Sequence, residues 1–147
     1  MMTWGNLLEC IYMNTAQHAK HAKKKTILLV EDDAFVSDVY SARFKEEDVC
    51  FVLASDGREA MKKLKEDTPD VVLLDIMMPY MDGMEVLEMM KKSDDWKDIP
   101  VLMLTNLSEK ENIERAMKLG ADDYIIKSHF TPSEVSDRVR VLLEKKS

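Results

Sequence analysis

The chain has 147 residues, 46% of them hydrophobic and 33% charged, which is the balance of one globular domain long enough to bury a real core. Its net charge of −7 is unevenly spread: residues 1–25 hold four lysines against one acid, and residues 26–147 hold 17 basic against 27 acidic side chains. So acidic a body argues against direct nucleic-acid binding, which needs clustered Lys and Arg, and no apolar run approaches the roughly 20 residues that cross a bilayer, so no membrane association is expected.

Trp4 to Met13 is weakly apolar and is followed by a His/Lys/Ala stretch up to Lys25, with Met13 a natural alternative start. A signal peptide puts its basic residues before the apolar run, the reverse of this order. Residues 1–25 are therefore expected to be a flexible N-terminal extension, with residues 26–147 as the domain. Cys10 and Cys50 show neither C-x-x-C nor His/Cys spacing, which suits a reduced, cytoplasmic protein with Cys50 in the core. His18, His21 and His129 have no ligand spacing.

From Thr26 the pattern is regular. Thr26–Val30 (TILLV) is the continuous apolar run of a strand buried on both faces, and it ends in Glu31, Asp32 and Asp33. Ala34 to about Glu47 reads as a helix with Phe35, Val39, Ala42 and Phe44 on its apolar positions and Asp33 as cap or first-turn acid. Val49–Ala54 is a second strand, and Ser55 or Asp56 caps the helix that turns Ala60, Met61 and Leu64 inward. Asp70–Leu74 (DVVLL) stops at Asp75, a loop from Met77 to Gly83 follows, and Glu85 to Lys92 is helical. Ile99–Leu104 ends at Thr105; Ser108 and Glu111 have capping-box spacing for a helix that Gly120 terminates. Tyr124–Ile126 ends at Lys127, and Thr131-Pro132-Ser133-Glu134 opens the last helix with a cap, a proline and a glutamate. The methionines, Met77, Met78, Met81, Met84, Met89 and Met90 among them, read as core and loop filling.

Five strands alternating with five helices predict an α/β fold: a (βα)5 doubly wound, five-stranded parallel sheet of flavodoxin-like order 2-1-3-4-5. In such sheets ligands sit beyond the carboxyl ends of the strands, near the switch in strand order. Strands one and three meet there, so Glu31, Asp32 and Asp75 converge, with Thr105 and Lys127 on the rim. Clustered carboxylates need a positive partner, and a hard divalent cation such as Mg²⁺ is the natural one. A carboxylate can attack phosphorus; a cation and Lys127 would then neutralise the developing charge, and the Thr105 hydroxyl can donate to a further oxygen.

This ordered set resembles the response-regulator receiver domain of two-component signalling, in its stand-alone form, over residues 26–147. The residues that carry the resemblance are Glu31-Asp32 after ILLV, Asp75 in VVLLDIMMP, Asp82-Gly83, Thr105 after VLML, Gly120-Ala121-Asp122-Asp123-Tyr124 and Lys127. It implies that Asp75 is the phosphoacceptor. Asp32, Asp75 and the Met77 backbone carbonyl would ligate Mg²⁺ (or Mn²⁺), with Glu31 acting through water. Lys127 would bind the phosphoryl group, while Thr105 and Tyr124 would form the switch. The implied donor is a histidine kinase or phosphotransfer protein, and the implied output is binding of a downstream protein through the face of helix 4, strand 5 and helix 5, by a monomer or a weak dimer linked to phosphorylation.

Two departures stand out. Receivers usually follow the lysine with a proline through a cis bond, whereas Ser128 stands here, and a cis bond before a non-proline costs roughly 2.5–4 kcal/mol. That loop is expected to be trans and rearranged, or strained. Asn106 also replaces the usual alanine or glycine after Thr105, and its bulk is expected to slow autodephosphorylation. A phosphohydrolase with an aspartate nucleophile would need a second acid two residues on, where Met77 stands, so no enzyme turning over a substrate is expected. A nucleotide or flavin enzyme would need a Gly-rich phosphate loop after strand one, where acids stand instead. A scaffold that is never phosphorylated would leave Asp32, Asp75, Thr105 and Lys127 without a purpose. The remaining alternative is the receiver portion of a longer regulator whose output domain is absent.

Overall fold

The protein is described, over residues 24–146, by a computed structural model. Most of the proposed N-terminal extension, with Cys10, His18 and His21, lies outside the described residues. The elements run β1 (Lys25–Val30), α1 (Ala34–Phe44), β2 (Val49–Ala54), α2 (Gly57–Glu66), β3 (Val71–Leu74), α3 (Gly83–Lys92), β4 (Val101–Thr105), α4 (Lys110–Leu119), β5 (Asp123–Ile126) and α5 (Pro132–Lys146). The sheet is parallel throughout with order β2-β1-β3-β4-β5, as the alternation of elements predicts.

Side chains alternate across each strand, so each apolar run feeds two cores. Leu28, Val30, Val72, Leu74 and Met103 pack on one face with α2, α3 and α4. Ile27, Leu29, Leu73, Leu102 and Ile125 pack on the other with α1 and α5. Register places the strand ends side by side: Val30 pairs with Leu74 and Ala54, and Thr105 with Ile126. The residues just past these ends share one crevice.

Two local expectations are corrected. In α1 the buried stripe is Ser37, Tyr40, Ser41 and Phe44, while Phe35 is 76% and Val39 37% exposed. Asp33 starts the helix by accepting the N–H groups of Phe35 and Val36. Small serines then fit against the sheet, Ser37 satisfying its hydroxyl on the Ala34 carbonyl, so hydropathy alone points to the wrong face. Ser108 does not cap α4. Leu107 is held by Thr105 Oγ1 and by the Tyr124 hydroxyl, so the chain turns helical only at Lys110, after Glu109. The other caps are as expected. Asp56 accepts from Glu59 N–H, Gly120 adopts φ 109°, and Thr131 and Glu134 exchange bonds of 3.0 and 3.2 Å.

Gly83 matters to the site because α3 starts against the end of β3. Its N–H donates to the Ile76 carbonyl at 2.9 Å, and a Cβ there would lie 2.0 Å from the Asp75 carbonyl oxygen. The collision is with backbone, which cannot rotate away. Gly83→Ala is expected to cost about 3 kcal/mol, the upper end for overpacking. Urea denaturation reads this as a lower midpoint at unchanged m-value; a variant as stable as the parent would show that α3 does not press on Asp75.

Candidate functional site

β1 delivers Glu31, only 3% exposed, and the exposed Asp32; β3 delivers Asp75, 6% exposed. Each of the three offers a carboxylate oxygen within 4.8 Å of the others. β5 delivers Lys127, whose ammonium donates to Asp75 Oδ2 at 3.1 Å and to Glu31 Oε2. Backbone groups hold the remaining oxygens: Ile76 N–H donates to Asp75 Oδ1 at 2.7 Å and Asp33 N–H to Glu31 Oε1 at 3.1 Å. The two buried carboxylates are thus aimed, not merely clustered.

Electrostatics follows from this packing. Burial pushes Glu31 up to about 7, against the bond from Lys127 and helped by the charge of Asp75. Burial alone would depress Lys127, but its bond to Glu31 and the charges of Asp75 and Glu31 outweigh that and hold it above its ordinary value. One ammonium therefore serves two buried acids, and the set is short of positive charge. A divalent cation beside Asp32 would supply it, and the all-oxygen donor set suits a hard ion. An open cavity of about 380 Å³ lies beside this cluster, lined by Asp32, Met77, Met78, Pro79 and Asp82 as well as Ile76. Met77 lines this cavity and is 66% exposed.

Thr105 is 1% exposed at the end of β4, and its Oγ1 accepts Leu107 N–H at 3.4 Å. Tyr124 is half-buried, and its hydroxyl donates to the Leu107 carbonyl at 2.7 Å. Burial raises its phenol, with the charges of Glu109 and Asp75 adding to the rise. Both expected switch residues therefore converge on the same loop residue. The Lys127–Ser128 peptide is trans, since the described residues contain no cis bond, and a short 3-10 turn over Lys127–His129 carries the chain onward. Of the two expected outcomes for this loop, the trans bond is the one found.

Two participants carry no clear signal in the sequence. Tyr40, buried from α1, has a phenol raised by burial and close enough to feel Lys127 and Glu31. Arg58 of α2 stacks over the exposed ring of Tyr80 at 3.7 Å in the β3–α3 loop, where Tyr80 takes φ 69°. The nearest sequence cue is the loop's Pro and Gly punctuation, which marks a turn and names no anchor.

The chain matches the response regulator receiver domain over residues 27–140, nearly the whole described region. It belongs to that family. A probable transcriptional regulator ycf27 from Guillardia theta is 38% identical over 122 residues, covering 83% of this chain and 46% of that protein. The receiver domain of the Francisella response regulator 1452 superposes with a TM-score of 0.78 at 31% identity, covering 84% of this chain and all of that one. The Mn²⁺-bound form of response regulator Rcp1 has a TM-score of 0.69 at 29% identity, covering 82% of this chain and 90% of that one. The chain spans about half the length of the curated relatives it matches. As a receiver it is a two-component signalling module of flavodoxin-like fold, and among its described residues no helix is long and apolar enough to cross a membrane.

Proposed function

We propose that this receiver is switched by phosphorylation of Asp75. The observation that carries the reading is a buried carboxylate held on both oxygens, by Ile76 N–H and by Lys127, in contact range of two further acids. An Asp75 oxygen attacks the phosphorus of a phosphohistidine or an acyl phosphate. The new P–O bond forms as the bond to the donor breaks, and the electron pair leaves with the imidazole or the carboxylate. Lys127 pairs with a phosphoryl oxygen as charge accumulates, and the Thr105 hydroxyl turns from Leu107 to donate to another. A bound Mg²⁺ or Mn²⁺, held by Asp32, Asp75 and the Met77 carbonyl with Glu31 through water, would neutralise charge on the transferring group.

Thr105 and Tyr124 share Leu107, so a move by one changes the bonding available to the other. Phosphorylation adds negative charge and acceptor oxygens, and the result is a changed face over α4, β5 and α5 for a downstream protein. The phosphoryl group comes from a histidine kinase or phosphotransfer protein and stays on the chain, so this is a switch and not an enzyme that turns over a substrate. The greater length of curated relatives titled transcriptional regulators favours a second reading, in which the same receiver acts as part of a longer regulator.

Metal and proton compete at Glu31. Its folded-state value of about 7 lies above the ordinary 4.5, so the metal-free fold holds an extra proton between those values and loses stability as pH rises through that window. A cation expels that proton. Uptake of one phosphoryl group from acetyl phosphate, read by intact mass, is therefore expected to require Mg²⁺, to vanish with EDTA, and to need more Mg²⁺ as pH falls below about 7. A chain that gains no phosphoryl group with Mg²⁺ present would sink the reading.

A further inference from the structure

β4 and β5 pair as far as Thr105 with Ile126. One residue beyond stand Asn106 and Lys127, and the Asn106 amide oxygen accepts Ser128 N–H at 3.1 Å. Ser128 is the middle residue of the 3-10 turn Lys127–His129. That turn is closed by Phe130 N–H on the Lys127 carbonyl at 3.5 Å, which is long for a hydrogen bond. The turn therefore leans on an outside tie, and Asn106 provides one from the strand that carries Thr105.

We infer that Asn106 is a positioning residue for Lys127, acting by holding Ser128 N–H and so aiming the ammonium at Asp75 and Glu31. The inference rests on the receiver reading, because it matters only if Lys127 meets a phosphoryl group. Asn106 and Ser128 are both exposed, so water satisfies either group when the bond is lost. Losing the bond costs the fold little and frees the direction of the turn, which places the consequence on Lys127. The pairing also gives the bulk of Asn106 a use other than shielding the phosphate from water.

The test is a double-mutant cycle on the full chain, measuring the apparent affinity for beryllofluoride in Mg²⁺, a phosphoryl mimic. Asn106→Ala is expected to weaken binding about threefold to tenfold, the range for one hydrogen bond. In a Ser128→Pro background, which has no N–H to hold, the same substitution is expected to change affinity less than about twofold. Ser128→Pro can reshape the turn, so amide exchange gives a second reading. Ser128 N–H is expected to exchange faster in Asn106→Ala than in the parent and to stay protected in Asn106→Asp, which keeps the acceptor. Equal losses in both backgrounds, or unchanged Ser128 exchange in Asn106→Ala, would overturn the inference. Faster phosphate decay at unchanged beryllofluoride affinity would also overturn it, in favour of shielding. Failure of the parent chain to bind beryllofluoride would overturn the reading of Asp75 as phosphoacceptor and this inference together, which separates that failure from the others.

Discussion

Asp75→Asn is expected to take no phosphoryl group from acetyl phosphate and Mg²⁺, while folding as well as the parent. The amide matches the carboxylate in shape and keeps an oxygen to accept Ile76 N–H, but it is no nucleophile toward phosphorus. It also removes one of two buried acids that share a single ammonium, leaving Lys127 paired with Glu31. Stability is therefore expected within about 1 kcal/mol of the parent, because a like-charge contact is relieved as a charged bond is lost. Intact mass with and without donor reads the first expectation, and urea denaturation the second. A phosphoryl group that still appears on the variant would move the acceptor to another acid, with exposed Asp32 the first to examine.

Lys127→Met is expected to fail differently, in stability as well as chemistry. The thioether fills much of the space of the lysine stem but strands Glu31 and Asp75 as close, buried acids without their cation. Removing one partner of a buried pair costs about 3–5 kcal/mol; because the lysine is 12% exposed and Glu31 can take up a proton, about 2–3 kcal/mol is expected at neutral pH. Mg²⁺ is expected to return part of that loss by supplying positive charge to the same oxygens. Phosphoryl uptake is expected to fall about 100-fold or more, as when a donor to developing charge is deleted. Denaturation in EDTA and again in Mg²⁺ separates the two effects. A variant as stable as the parent in EDTA would mean that the ammonium does not hold the acids together.

The α1 and α4 results show where one-dimensional reading fails. Phe35 and Val39 are apolar at helical spacing, yet Ser37 and Ser41 take buried positions beside Tyr40 and Phe44. Ser108 has the right residue type and spacing for a cap, yet Leu107 is already tied to Thr105 and Tyr124. Both errors have one cause. Propensity and spacing describe a segment alone, whereas burial against the rest of the fold decides which face of α1 turns inward, and a contact from Tyr124, far along the chain, helps fix where α4 begins.

Asp75 shows both sides. By itself the sequence determined that an apolar strand ends there, that acids end the first strand and a lysine the fifth, and that alternating elements make a parallel sheet; these follow from periodicity and residue type, which are local. Only the tertiary structure decided that Lys127 joins Glu31 to Asp75, that Ile76 N–H aims the carboxylate, and that Asn106 ties down Ser128 in a trans turn. Most of those bonds link residues far apart in the chain, and their lengths depend on strand register and on burial, which exist only once the sheet has formed.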